Sequence, residues 1–216
     1  MRKMTHVEIR EMWFKFFTSK HHQIIESAPL IPIDDDSLLW INAGVTPLKK
    51  YFDGTKIPEC KRLTSIQKCI RTNDLDEVGD VTHHTFFEMM GNFSIGDYFK
   101  NEAIEFAYEL LTSEKWFAIP IEKLYVTIYT GDNEAYNKWI EMGMLEDHII
   151  RLDENFWEIG KGPCGPDSEI FYDRGEKYDK DHDALEKFKK DEEQERYIEI
   201  WNNVFMQYNH KPDGTF

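Results

Sequence analysis

The chain is poor in cysteine: three in 216 residues, Cys60, Cys69 and Cys164. Their spacings match no zinc knuckle and no redox CxxC pair, which argues against a disulfide-stapled scaffold and leaves free thiols in a reducing compartment as the expectation. Long apolar runs are lacking too. None reaches the roughly 18–20 residues of a bilayer span, and MRKMTHVEIR at the start leads into an amphipathic pattern rather than a signal-peptide core. A soluble, cytoplasmic protein with no membrane partner is expected. Positive charge is scarce, with 26 Lys and Arg against 41 Asp and Glu, so a broad polyanion-binding surface is disfavoured. No GxGxxG, GxxxxGK[ST] or GxSxG occurs, and dinucleotide fold, P-loop and nucleophile elbow lose their support.

What remains is a chain that folds. It is 41% hydrophobic and 14% aromatic, and long enough to bury a core. Thr5 and Glu8 have capping-box spacing, and Ile9, Met12, Trp13, Phe16 and Phe17 follow at helical intervals, predicting a helix over 6–19. Ala103, Ile104, Ala107, Leu110 and Leu111 predict a second over 101–112. Asp132 caps a third carrying Ala135, Tyr136, Trp139 and Ile140. Strand-like runs occur at 38–41, 65–71, 85–90, 124–129, 149–152, 169–172 and 197–208. They do not alternate with the helices, so the fold class is α+β: a mostly antiparallel sheet flanked by helices. Residues 176–199 hold ten acids and six bases, and 176–196 reads as a charged, solvated insertion.

The net charge hides a local exception. Between Lys49 and Arg71 seven bases face two acids, enough for an anion site. Arg71 stands at the mouth of a long hairpin whose loop, 72–83, is rich in Asn, Asp and Gly. Its planar fork suits a phosphate, although pairing with Asp74 or Asp76 is the commoner fate at this spacing. His83 and His84 are adjacent, so on a strand they point to opposite faces and cannot chelate one metal ion together. Phe86 and Phe87 alternate in the same way. The run 199–209, EIWNNVFMQYN, reads as a central strand whose Asn and Gln need partners when buried.

Five ordered blocks, THHTFFEMMGNFSIGDYF (82–99), LLTSEKWFAIP (110–120), NFWEIGKGPCGPDSEIFYD (155–173), EIWNNVFMQYN (199–209) and, more weakly, INAGVTPLKKYF (41–52), resemble the alanyl-tRNA synthetases, a family of class II aminoacyl-tRNA synthetases. The resemblance implies a class II catalytic fold that joins L-alanine to ATP and passes it to tRNA(Ala), with ATP and its Mg²⁺ as cofactors and no protein-bound zinc in this segment. It implies that Arg71 grips a phosphate and that His84 lies in the ATP site. One of Phe86 and Phe87, taken as Phe87, would lie beside the adenine, with Met89 lining the pocket. Trp157, Ile200, Trp201 and Asn202 would line the alanine and ATP site, with Val204 nearby. Catalysis would then rest on alignment and charge neutralisation, because the substrate carboxylate is itself the nucleophile.

Three departures from the family are visible. Its glycine-rich, Lys-containing insertion after the Arg is missing, since Arg71 runs through Thr72 into Asn73-Asp74-Leu75, and the loop is a residue shorter before His83. Asp167 replaces a common second Cys, at what reads as a turn with little consequence. The family's third motif would follow Phe216, so 1–216 is expected to be an incomplete, C-terminally truncated aminoacylation domain. The rival expectations are a non-catalytic adaptor that binds tRNA or a partner and, from the paired His, a metal-dependent hydrolase.

Overall fold

The first helix forms where its cap predicts. The computed structural model describes residues 3–33, 38–72, 75–80, 83–158 and 162–210; Asn73, Asp74, Gly160, Lys161 and the run 211–216, which figure in the sequence analysis, lie outside these. Helix α1 spans His6–Ser19, with Thr5 Oγ1 accepting from Glu8 N at 3.3 Å and Glu8 Oε2 accepting from Thr5 N at 2.8 Å. Its apolar stripe buries Trp13, Phe16 and Phe17, and Trp13 Nε1 donates to Thr64 Oγ1 at 3.0 Å, fixing the helix on a small sheet. In that sheet β1 (Gln23–Ile24) runs parallel to β2 (Arg62–Ile70), and β2 pairs antiparallel with β3 (Phe86–Ser94) from Arg62 opposite Ser94 to Ile70 opposite Phe86. Between β1 and β2 lies the short helix α2 (Lys49–Phe52). The strand expected at 38–41 does not form. Ile41 is tied in, donating to Leu30 O and accepting from Ile70 N, while Leu39 is 85% exposed and has no face to bury.

This amino-terminal unit ends at Tyr98, and a second compact unit starts at Phe99. It opens with α3 (Lys100–Thr112), β4 (Leu124–Tyr129) and α4 (Asn133–Met142). Asp132 caps α4 by accepting from Ala135 N at 3.0 Å, and Gly143, at φ 100°, closes it in the left-handed conformation that glycine adopts without strain. Next come β5 (Ile149–Leu152), β6 (Phe156–Glu158), β7 (Gly162–Asp173), α5 (Ala184–Phe188), β8 (Tyr197–Val204) and β9 (Tyr208–His210). Strand β7 is the hub of the sheet. Its second half lies between β4 and β8, its first half pairs with β6 and β9, and β5 runs parallel to β4; every other pairing is antiparallel. The α+β expectation is met, with an antiparallel-rich sheet in each unit.

Two sequence expectations are corrected here. The GPCGPD run is not a turn but the start of β7. Its partners β6 and β9 are three residues each, so the short ladder tolerates the missing N–H groups of Pro163 and Pro166. Residues 197–208 are not one strand either. The chain leaves β8 at Phe205, whose N–H donates to Pro166 O at 3.0 Å, and returns to the other half of β7 as β9. Gly165 permits this close passage, because a Cβ there would stand 2.2 Å from Phe205 O.

The two faces of this sheet differ. Val126, Ile128, Ser168 and Ile170 share one face, where Trp139 of α4 donates through Nε1 to Ser168 Oγ at 2.9 Å. The other face carries an apolar cluster at one end, in which Ala184 and Phe188 of α5 pack with Ile150, Leu152 and Tyr197. The charged segment 176–196 is therefore anchored on two side chains while most of its acids and lysines stay in solvent. Arg196 closes its base with bonds to both oxygens of Asp173, at 2.7 and 3.0 Å, and one to Asp179 at 3.2 Å.

Candidate active-site residues

In the amino-terminal unit the hairpin sorts its side chains by strand alternation. Cys69 stands opposite Phe87 and Gln67 opposite Met89, so Phe87 and Met89 share a face while Phe86, 55% exposed, looks the other way. Arg71 follows β2 on the Phe87 side. Its guanidinium lies 5.3 Å from the Phe87 ring centre, and its Nε donates to Asn42 O at 3.1 Å. Its own N–H donates to Thr85 O at 2.9 Å, which continues the hairpin one step beyond the ladder. The segment 41–44 thus braces one edge of the guanidinium plane. Met89 is braced likewise, its sulfur accepting from Gly44 N at 3.2 Å. His84 is exposed. His83 is held instead by Asp80, which accepts from both its backbone N–H (2.7 Å) and Nδ1 (2.5 Å). Cys69 is fully buried, and that burial pushes its thiol up to about 11, so it is no nucleophile at neutral pH.

In the carboxy-terminal unit the face away from α4 gathers the other group. Trp157 pairs with Gly165, Asp167 with Val204, Glu169 with Asn202, and Thr127 with Glu169. Directly opposed residues point to one side of a sheet, so Trp157, Asn202 and Val204 share a face with Thr127, Asp167 and Glu169. Trp201 stands opposite Ile170 on the helix side, and Ile200 is the extra residue of a β-bulge, 42% exposed. Of the sequence-predicted residues here, the fold brings together Trp157, Asn202 and Val204 and separates Trp201 from them.

Asp167 organises the polar centre. Its Oδ1 accepts from Asn155 Nδ2 at 2.9 Å and its Oδ2 from Asn202 Nδ2 at 3.2 Å. Asn202 Nδ2 reaches Glu169 Oε1 as well, at 3.3 Å, and Glu169 Oε2 accepts from Thr127 Oγ1 at 3.1 Å. Burial raises both acids. Glu169 is pushed up to about 7 by burial first, then by the charges of Glu199 and Asp167, against the opposing bonds from Thr127 and Asn155. Asp167 is raised by burial too, although its bonds from Asn155 and Asn202 work against the shift. Of the five buried side-chain polar atoms lacking a hydrogen bond among the described residues, three are here: Asn155 Oδ1, Trp157 Nε1 and Asn202 Oδ1. A buried polar group without a partner is costly, and three of these atoms gather around this one polar centre.

Sequence reasoning missed Thr127, Asp167 and Glu169. The available signal was two acids at i and i+2 in DSEIFYD, which share a face once that run is read as a strand. Among the described residues no group of three or more His, Cys, Asp or Glu is placed to hold a metal ion, and no helix is long and apolar enough to cross a membrane.

Comparison with known proteins agrees with this architecture. The family profile of tRNA synthetases class II (A) matches residues 8–216. Proteins named alanine–tRNA ligase are similar to this chain: that of Mesoplasma florum is 60% identical over 213 residues, that of Acholeplasma laidlawii 62% over 210, and that of Lactococcus lactis subsp. cremoris 56% over 213. The alignments cover 97–98% of this chain but 24% of each relative. The chain spans about a quarter of the length of the curated relatives it matches. With a matching profile over nearly all its residues and an α+β, antiparallel-rich fold, the chain belongs to the class II tRNA synthetases.

Proposed function

We propose that this chain serves the ATP-dependent activation of L-alanine and its transfer to tRNA(Ala). Arg71 takes the phosphate contact, His84, Phe87 and Met89 the nucleotide, and Trp157, Asn202 and Val204 the amino acid, with Ile200 and Trp201 on the same strand. The alanine carboxylate attacks the α-phosphorus, pyrophosphate leaves, and the alanyl group then passes to the terminal ribose of the tRNA. No protein nucleophile is required. The reaction then needs carboxylate and phosphorus in line and the charge that grows on the phosphoryl oxygens offset, the latter falling to Arg71.

The observation that carries this reading is the polar face with three unpartnered buried atoms flanked by Trp157 and Val204. A large indole and a branched aliphatic side chain suit a small methyl-bearing substrate, and unpaired amide and indole groups suit its ammonium and carboxylate. Arg71 supports the nucleotide half of the reading. Its Nε is engaged by a backbone carbonyl, which fixes the guanidinium plane, and the fork geometry of its terminal nitrogens matches a phosphate. Mg²⁺ would come coordinated to the nucleotide's own phosphates and neutralise the leaving pyrophosphate; no residue here is assigned to it.

The test is alanine-dependent ATP–pyrophosphate exchange by this chain joined to the remaining three quarters of a relative. Exchange is expected, and Arg71→Ala is expected to lower kcat/KM about 100-fold or more. Absence of exchange in the joined protein, or exchange indifferent to Arg71→Ala, overturns the reading.

A further inference from the structure

We propose that Asp167 is a positioning residue for alanine recognition: it fixes the rotamer of Asn202 so that the amide presents its carbonyl, not its NH2, to the substrate. This rests on the reading of Asn202 as an alanine contact and goes beyond it.

The argument starts from the asymmetry of a side-chain amide. Asn has a two-donor end and an acceptor end of nearly equal size, and only neighbouring groups decide which end points where. Ionised carboxylates are acceptors only. Asp167 Oδ2 lies 3.2 Å from Asn202 Nδ2 while its other oxygen accepts from Asn155, so the reverse orientation would set the amide oxygen of Asn202 against a carboxylate oxygen; Glu169 Oε1, at 3.3 Å, accepts from the same NH2. Asn202 Oδ1 is buried and unpartnered as a result, an acceptor held ready for a donor such as a primary ammonium. Asp167 is itself held from the other side. It is 6% exposed, and Asn155, 3% exposed, donates from Nδ2 to its Oδ1 at 2.9 Å and to Thr127 Oγ1 at 2.9 Å. Asp167 N also donates to Asn155 O at 2.9 Å. The chain Thr127–Asn155–Asp167–Asn202 therefore runs from the frame of the sheet to the proposed substrate contact with each donor matched to an acceptor.

Asp167 is the member that an amide cannot replace. It accepts from two amide NH2 groups at once, one on each oxygen, whereas an Asn at 167 has a single acceptor oxygen and must set its own NH2 against that of Asn155 or Asn202. A Cys at 167 accepts only weakly and leaves Asn202 oriented by Glu169 alone.

The experiment is titration calorimetry of the 216-residue chain with alanyl-sulfamoyl-adenosine, a stable mimic of alanyl-adenylate, and with ATP alone. Asp167→Asn is expected to weaken the mimic about five-fold or more and to leave ATP unchanged, the loss of one oriented hydrogen bond. Asp167→Cys acts in the same direction and guards against a folding defect in the first variant. Asn202→Ala weakens the mimic by a similar factor, and adding Asp167→Asn to it brings no further loss, because the two residues act as one unit. If Asn202→Ala weakens the mimic while both Asp167 variants bind it normally, or if the losses simply multiply, the positioning role is overturned and the reading of Asn202 stands. Equal weakening of mimic and ATP overturns it as well, since that is a general structural defect. If the wild-type chain does not bind the mimic, or Asn202→Ala leaves binding intact, the reading of Asn202 falls and the proposal with it.

Discussion

The two units each bury a titratable group that burial holds in its neutral form, and the two shifts have opposite sign. In the amino-terminal unit His22 is 4% exposed, with Nε2 2.8 Å from Tyr98 Oη and Nδ1 3.2 Å from Phe17 O. Burial is the main cause that lowers it to about 4, reinforced by the charge of Arg62. In the carboxy-terminal unit burial and neighbouring acids raise Glu169 to about 7. Both groups are thereby kept neutral in mildly acidic solution. The histidine serves packing, between the rings of Phe17 and Tyr98, whereas the glutamate sits among unpartnered polar atoms. A buried titratable group is thus a functional pointer only when its surroundings are left unfinished.

The comparison can be broken most directly at Arg71, whose replacement by Ala carries the largest expected effect, the 100-fold loss of exchange given above; the same substitution should leave the melting temperature nearly unchanged, because the side chain is exposed. Next in size are the opposed pH responses. Between about pH 4 and 6.5 the unfolded chain holds a proton on His22 that the folded chain does not, so this group makes the fold less stable as pH falls. Between about pH 4.5 and 7 the folded chain holds a proton on Glu169 that the unfolded chain has lost, so this group makes the fold less stable as pH rises. Each slope approaches ~1.4 kcal/mol per pH unit and sums to about 3 kcal/mol. Hydrogen exchange, corrected for its intrinsic pH dependence, should show protection moving in opposite directions in the two units. His22→Gln should flatten only the first and Glu169→Gln only the second; parallel slopes would dissolve the contrast.

A smaller effect is expected at Arg196→Ala, about 2 kcal/mol. The change strands the nearly buried Asp173, whose carboxyl burial would raise but the Arg196 bonds, the Gly175 N–H and the nearby Lys123 hold below the usual range. Denaturant melts should show it at neutral pH, and the difference should fade in strong acid, where Asp173 is protonated in either protein. Thr5→Ala, about 1 kcal/mol, is the smallest, a lost cap on α1 read by the same melts.

Much of the fold was legible because short-range rules govern it. The Thr5–Glu8 box placed α1, Asp132 placed α4, and the runs 124–129 and 149–152 are β4 and β5 as predicted. Two of the misreadings share one cause, a long-range partner overriding a local signal, whereas 38–41 forms no strand for want of a face to bury. Gly and Pro in 162–166 look like a turn until β6 and β9 are seen beside them. The face assignment of β8 was illegible for a similar reason. The extra residue Ile200 shifts the alternation, so Tyr197, paired with Asp173, and Asn202, paired with Glu169, point to one side although their numbers differ by five. Periodicity alone sends them to opposite faces. Arg71 stood out by charge in an acidic chain, but its phosphate role came from the family resemblance; its contact with Phe87 needed only a hairpin, whereas that with Asn42 is long-range.

The anchored segment 176–196 behaves as a loop with two separate moorings. Phe188 is buried in the apolar cluster on one side of the exposed run Lys189–Glu193, and Tyr197 is buried on the other, with Arg196 bonded to Asp173 beside it. A protease that nicks this run would therefore sever the backbone without parting the pieces. The cut molecule should migrate as one body in native gels and separate into two only in detergent, which makes this run a natural place to divide the chain for reassembly from a long and a short piece.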